Sequence, residues 1–224
     1  MNNSSTELDF KKHGYCVVPA AISNELRDFI TQYALFDEMQ DFTPEKQHTP
    51  IDQALVAEAH SKYADPAMET LLLHLHASVE QAVGLTLWPT YSYYRVYRHG
   101  DELAAHTDRP SCEISATVCI NFNYEAKDAW PIRMQDSEIQ LQPGDMAIYR
   151  GCEILHQRNK LNIDPDHWHV QAFIHYVDVN GPYSAYKWDG RPSVGMLPPR
   201  SNRETSNSDQ QSTQFEKHYI KYTG

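Results

Sequence analysis

His106, Thr107 and Asp108 are where chemistry can start in this chain. In an extended segment residues i and i+2 point to the same face, so an imidazole nitrogen and a carboxylate oxygen converge on one ion. A third donor must come from elsewhere, and His156 is placed to supply it, past a strand-like segment at 146–149 and a short turn at Gly151. Two histidines and one carboxylate on one side of a metal leave three adjacent positions open. That arrangement suits non-haem Fe(II), because O2 and a bidentate cosubstrate can bind together. An H-x-D pair alone is a weak signal in a chain with 12 histidines, where a surface or core histidine is the alternative. Its context strengthens it: a tyrosine-rich strand and a glycine turn precede the pair, and a β-run, a Pro-Gly-Asp turn, a strand and His156 follow it. His74 and His76, two apart on different helical faces, read as solvated or packing histidines.

The elements that must position these residues are legible in outline. Residues 15–19 read as a short strand ended by proline. Ser23 is a helix N-cap, and Leu26, Phe29, Ile30 and Tyr33 recur at helical spacing over 24–35. Residues 37–52 read as a loop. A second helical region covers 53–82, split at Pro66 and ended by Gly84. In 91–97 the side chains alternate, with Tyr91, Tyr93, Arg95 and Tyr97 on one face and Ser92, Tyr94 and Val96 on the other. Further strands are expected at 114–122, 130–134, 138–141, 146–149 and 168–177, with a Pro143-Gly144-Asp145 turn. Many short strands with close turns argue for a β-sandwich or barrel preceded by helices. Residues 1–7 are expected to be flexible. Residues 8–188 form one domain, helical over 8–86 with its β core at 87–178, and 189–224 form a partly disordered tail. The loops at 37–52, 123–130 and 178–200 are expected to frame an entrance.

Composition sets limits. The formal charge is -11 with a pI near 5.5, which argues against a general nucleic-acid or anionic-membrane binder. No apolar run approaches the ~20 residues of a membrane span, and MNNSSTELDF lacks the features of a secretory signal. Cys16, Cys112, Cys119 and Cys152 form no C-x-x-C pair and read as thiols in a reducing compartment, so a cytoplasmic location is expected.

Three stretches carry a resemblance: 10–19 (FKKHGYCVVP), then YRVYRHGDELAAHTDRPSCEISATVCINFN, then LQPGDMAIYRGCEILHQR. In that order they resemble the Fe(II)/2-oxoglutarate-dependent oxygenase superfamily, nearest its prolyl-4-hydroxylase-like and phytanoyl-hydroxylase-like members, over most of residues 8–178. The resemblance implies an α+β fold: a double-stranded β-helix, or jelly roll, with N-terminal helices packed on one sheet. It implies Fe(II) at His106, Asp108 and His156, with O2 and 2-oxoglutarate as cosubstrates. It implies hydroxylation of an unactivated C–H bond in a small metabolite, amino acid or peptidyl residue, with release of succinate and CO2. Halogenating relatives lack the carboxylate ligand, and Asp108 is present here.

The far carboxylate of 2-oxoglutarate needs a cation, best a guanidinium fork. Many relatives place it well downstream of the distal histidine. Here Asp166 stands in that region, and no Arg or Lys lies between Lys160 and Tyr186. The anchor therefore falls to Arg158, on the face of His156 if that segment is extended, with Arg95, Arg133 and His169 as alternatives. Tyr94 or Tyr97 is a candidate hydroxyl cap. Arg109 is a candidate substrate contact or rim ion pair, and Glu113 a candidate partner that orients Arg109 or Arg95. Two other readings stay open: a cupin-like metalloprotein that does not use 2-oxoglutarate, and a binding module with a degenerate site. The oligomeric state is left open.

Overall fold

Alternating inward and outward positions organise the whole β region. The computed structural model describes residues 9–41 and 59–196, and the expectations for 1–7, 42–58 and 197–224 lie outside it. After a helical turn at 9–13 come β1 (Tyr15–Val18), α1 (Asn24–Asp41), β2 (His60–Tyr63), α2 (Pro66–Val83), β3 (Leu87–Tyr97) and β4 (Leu103–His106). Then follow β5 (Ile114–Phe122), β6 (Ile132–Met134), β7 (Ser137–Ile139), β8 (Met146–Arg150), β9 (His156–Arg158) and β10 (His169–Asp178).

The strands form two antiparallel sheets. One has the order β1-β8-β5-β10-β3-β2 and the other β4-β9-β6-β7. From β3 to β10 the chain passes back and forth between the sheets, except at the β6–β7 hairpin.

The helices cover the outer face of the larger sheet. Met68, Leu71, Leu72, Leu75 and Val79 of α2, and Ile30 and Ala34 of α1, pack against Val96, Ala116, Val118, Ile148, Val170 and Ile174. Local signals set the helix ends. Ser23 Oγ accepts from Leu26 N at 3.3 Å, and Asp65 caps α2 with Pro66 in its first turn. Gly84 closes α2 in the left-handed conformation, φ 70°.

Two sequence expectations need correction. Helix α1 runs through Asp41, so the first part of the expected loop is helical. Residues 60–63, expected to be helical, form a strand paired with β3 from His60↔Val96 to Tyr63↔Tyr93. That short polar segment satisfies its backbone on a sheet edge, which tertiary pairing allows and local pattern does not reveal.

The folded chain also continues past residue 188. Arg191, 4% exposed, donates from Nη2 to Glu69 Oε2 at 3.0 Å and to the Thr90 carbonyl at 2.7 Å. Glu69 Oε1 accepts from Ser92 N at 2.8 Å, and Gly195 N donates to Oε2 at 2.7 Å. Residues 189–196 are therefore pinned to α2 and β3.

The inner face of the larger sheet carries many polar groups beside apolar Cys119, Ala147 and Phe173. Its inward positions carry Tyr91, Tyr93, Arg95 and Tyr97 on β3, Ser115 and Thr117 on β5, and His169, Gln171 and His175 on β10, each buried. A sandwich interior that serves only stability is apolar. Polar groups gathered here mark the space between the sheets as the place to look for a site.

Candidate metal centre and anion pocket

The smaller sheet brings His106 and His156 together, and the segment just after β4 adds Asp108. His106 ends β4 and pairs in register with His156, which opens β9. Their rings stand 4.2 Å apart. Asp108 Oδ1 lies 3.5 Å from His106 Nε2 and 3.7 Å from His156 Nε2, and the three donor atoms lie within 4.8 Å of one another. Ligands ~2.1 Å from an ion and at right angles stand about 3 Å apart, so the set needs only a small contraction.

Each donor is oriented from behind. His106 Nδ1 is 2.8 Å from the Ala104 carbonyl, and His156 Nδ1 is 2.9 Å from the Ile154 carbonyl. A carbonyl only accepts, so each Nδ1 carries the hydrogen and each Nε2 presents a lone pair. Ser115 Oγ donates to Asp108 Oδ2 at 2.6 Å, which leaves Oδ1 for the ion. His175 Nδ1 lies 3.0 Å from the same hydroxyl and completes its bonding as donor. Asp108 N donates to the Gly151 carbonyl at 2.8 Å. A Cβ at Gly151 would stand 2.1 Å from the Cys112 carbonyl oxygen, so only glycine fits there.

The electrostatics agree. Burial opposes ionisation of Asp108, but hydrogen bonding to His106, the neighbouring His175 and His156 rings and the Ser115 hydroxyl hold its pKa down at about 2. Burial pulls His156 below its ordinary value. For His106 burial acts the same way but is outweighed by Asp108 and the Ala104 carbonyl, while the nearby Arg95 charge works against protonation. An anionic carboxylate between two imidazoles is a donor set for a divalent ion, and nothing in its surroundings blocks Oδ1. Asp108, Cys112 and His175 form a second close group. There Ser115 already holds Asp108 Oδ2, and Cys112 Sγ lies 3.1 Å from the Tyr91 hydroxyl, so that group packs beneath the first.

Two residues beyond His156, Arg158 points along the same face. The segment is a strand, as the shared face requires. Arg158 is 2% exposed. Its Nη1 donates to the Trp130 carbonyl, and its guanidinium lies 4.8 Å from the Trp130 ring centroid. Nε and Nη2 have no partner, and neither has the Tyr97 hydroxyl, also fully buried. Burial lowers the Arg158 pKa, and among the described residues no carboxylate offsets it. His169 walls this pocket, edge-on to Tyr97 at 6.4 Å and to Trp130 at 5.6 Å. Its nitrogens face the Tyr124 hydroxyl and Gln171 Oε1, both at 2.8 Å. Burial first, then the Arg158 charge, drive its pKa to about 3, so His169 is neutral and cannot serve as the cation.

Other expected site residues lie elsewhere. Tyr94 belongs to the outward set of β3; its hydroxyl donates to Asp37 on α1 and meets His60 Nε2 at 3.1 Å, so it does not reach the inter-sheet space. Arg133 is exposed, because the odd position of the three-residue β6 faces outward. Arg109 donates to both Asp189 carboxylate oxygens, at 2.5 and 2.8 Å, and stacks 4.5 Å from the Tyr91 ring. It is a clasp for residue 189. Glu113 orients neither Arg109 nor Arg95; it accepts from Asp178 N at 2.8 Å and ties off the end of β10. Arg95 does face the inter-sheet space, 5.0 Å over the Tyr93 ring. Sequence reasoning missed Ser115, His175 and Trp130, which only strand pairing brings to the site. Gly151, five residues before His156, shows in the sequence only as a turn.

No protein-family profile and no curated protein matches the chain. Solved structures do. The chain is similar to a Pseudomonas putida prolyl-4-hydroxylase, with 14% identity, 78% of this chain and 98% of that one covered, and a TM-score of 0.57. It is similar to SnoN, a non-haem alpha-ketoglutarate-dependent epimerase of nogalamycin biosynthesis, with 13% identity, 92% and 96% coverage, and a TM-score of 0.62. It is similar to HygX of Streptomyces hygroscopicus, solved with nickel and 2-oxoglutarate, with 11% identity, 79% and 87% coverage, and a TM-score of 0.57. At these identities the likeness is one of fold. At that level the resemblance to 2-oxoglutarate/Fe(II) oxygenases, prolyl-4-hydroxylase-like members included, holds.

Proposed function

We propose that this chain is an Fe(II)- and 2-oxoglutarate-dependent oxygenase built on a double-stranded β-helix, and that it oxidises a C–H bond of a small molecule. The alternation of β3 to β10 between two sheets, with β6–β7 as the turning hairpin, supports the β-helix reading. One observation carries the function. A His106–Asp108–His156 set whose Nε2, Nε2 and Oδ1 atoms converge, with the Tyr149 hydroxyl 3.4 Å from His156 Nε2, shares the inter-sheet space with a buried guanidinium that has two idle donors. A buried cation without a counter-charge is costly, and it is retained where a ligand supplies the anion.

His106, Asp108 and His156 would hold the metal, and Arg158 with Tyr97 would receive the far carboxylate of 2-oxoglutarate. When bound, Fe(II) and 2-oxoglutarate supply oxygen activation, with loss of CO2, formation of succinate and oxidation of the substrate. The protein's own share is orientation and exclusion of water. Ala104 and Ile154 fix the imidazole tautomers, Ser115 aims the carboxylate, and the Tyr97, Trp130 and His169 rings keep the anchor pocket dry. A small-molecule substrate is favoured over a peptidyl one because SnoN, of the same fold, is solved with nogalamycin RO. Hydroxylation is the outcome favoured by the intact carboxylate. The idle Arg158 donors also weigh against a cupin-like protein that ignores 2-oxoglutarate. Aerobic incubation with Fe(II) and 2-oxoglutarate tests the proposal. Succinate should form with the wild-type chain and not with Asp108→Ala; equal succinate from both would overturn it.

A further inference from the structure

Among the described residues three arginines are buried, Arg95, Arg158 and Arg191, and two of them have no carboxylate partner. Arg191 pairs with Glu69, with side chains 0% and 3% exposed. The more exposed Arg109 and Arg98 pair with Asp189 and Glu38. Arg158 pairs with no carboxylate, and 2-oxoglutarate brings one free carboxylate to it under the proposed function. Arg95 is the second of the two. It is 6% exposed and inward-facing. It lies beside the Tyr93 and Tyr97 hydroxyls, and among the described residues no carboxylate reaches it. Tyr97 stands next to it on the same face, so the two arginines flank one phenol. The Arg95 charge is within electrostatic reach of the His106 ring.

Two buried cations face one space, and the proposed cosubstrate leaves only one carboxylate free once its other end is on the metal. We infer that the substrate itself carries a carboxylate and that Arg95 receives it in the inter-sheet space. The guanidinium fork matches a planar carboxylate, and the Tyr93 ring fixes its orientation. This inference rests on the proposed function and narrows its substrate class to small organic acids.

The test uses thermal melting of the full chain loaded with Ni(II), a redox-silent ion, and saturated with 2-oxoglutarate. Acetate is then titrated against chloride at matched ionic strength. If 2-oxoglutarate itself fails to raise the Tm of the Ni(II) protein, the proposed function fails and not this inference. If it succeeds, acetate should raise the Tm further and saturably, by ~3 °C at ten times its Kd. Arg95→Met should abolish that rise while leaving half-saturation by 2-oxoglutarate within about twofold, and Arg95→Lys should keep part of it. An acetate effect equal in wild type and Arg95→Met, or no effect in wild type, overturns the inference. So does a tenfold or greater loss of 2-oxoglutarate affinity in Arg95→Met, which would make Arg95 a cosubstrate residue.

Discussion

Gly151 lies so close beneath Asp108 that a Cβ at position 151 would stand 2.5 Å from Asp108 Oδ2. The same atom would stand 2.6 Å from Ser115 Oγ and 2.1 Å from a backbone oxygen, that of Cys112. The backbone cannot yield as a side-chain tip can. Gly151→Ala is therefore expected to cost about 1–3 kcal/mol of stability and to weaken metal binding about 10- to 100-fold, because Asp108 must turn away. Chemical denaturation and a metal titration check the two effects.

Ser115 gives a gentler version of the same experiment. Removing its hydroxyl takes away the bond to Asp108 Oδ2 and the acceptor that His175 Nδ1 uses. Ser115→Ala should lower metal affinity about 10- to 100-fold while the fold persists. Unchanged affinity would mean that Asp108 needs no help to hold its orientation.

Arg158→Met separates cosubstrate from metal. With both idle donors gone, the half-saturating concentration of 2-oxoglutarate should rise at least about 100-fold, by analogy with the loss of a buried charge-assisted pair. Metal affinity should not change. The apo protein should be no less stable, since an uncompensated buried cation is removed. Binding titrations with Ni(II)-loaded protein, together with melting of the apo form, read all three.

Acid should unfold the apo protein early, and the sign follows from three groups. Asp108 is held at about 2 when folded, below its ordinary carboxylate value. Its stabilisation is complete above pH ~4 and is lost as pH falls toward 2. His169 and His175 are held neutral, at about 3 and about 4. Between those values and their unfolded pKa near 6.5, the unfolded chain binds more protons. Stability therefore rises with pH across that window, by ~1.4 kcal/mol per pH unit for each fully engaged group. His169→Gln should flatten the slope between pH 4 and 6 by about that amount. A slope unchanged in the variant would count against a neutral buried His169.

The clasp at residues 189–196 concerns stability and not chemistry. Arg191→Met leaves Glu69 buried without its counter-ion, so a loss of about 3–5 kcal/mol is expected. The protein that stays folded at low temperature should keep its succinate-forming rate per molecule. Denaturant melts and a cold activity assay test this.

How much of this was legible beforehand depended on periodicity. The alternation of β3 put Tyr97 and Arg95 on one face and Tyr94 on the other but did not say which face turns inward. Tyr94 and Tyr97 were equal candidates, and only the bond from the Tyr94 hydroxyl to Asp37 of α1 separates them. The shared face of His106 and Asp108, and that of His156 and Arg158, followed from the two-residue repeat. What was not legible depends on pairing between distant strands. Ser115 reaches Asp108 only because of the turn at 109–113, and His175 reaches Ser115 because β10 lies beside β5. The edge strand β2 has no local signature. Asp189 and Arg191 sit in a polar stretch whose composition resembles a tail, and only their buried partners Arg109 and Glu69 show otherwise.

The central claim is tested most directly by an anaerobic titration of the apo protein with Fe(II) and then 2-oxoglutarate, followed by visible absorption. A weak charge-transfer band should grow to one equivalent of each in the wild type. It should be absent with His156→Ala and should need far more 2-oxoglutarate with Arg158→Met. Fe(II) binding with no band in the wild type, or a band undiminished in His156→Ala, would contradict the assignment of this site.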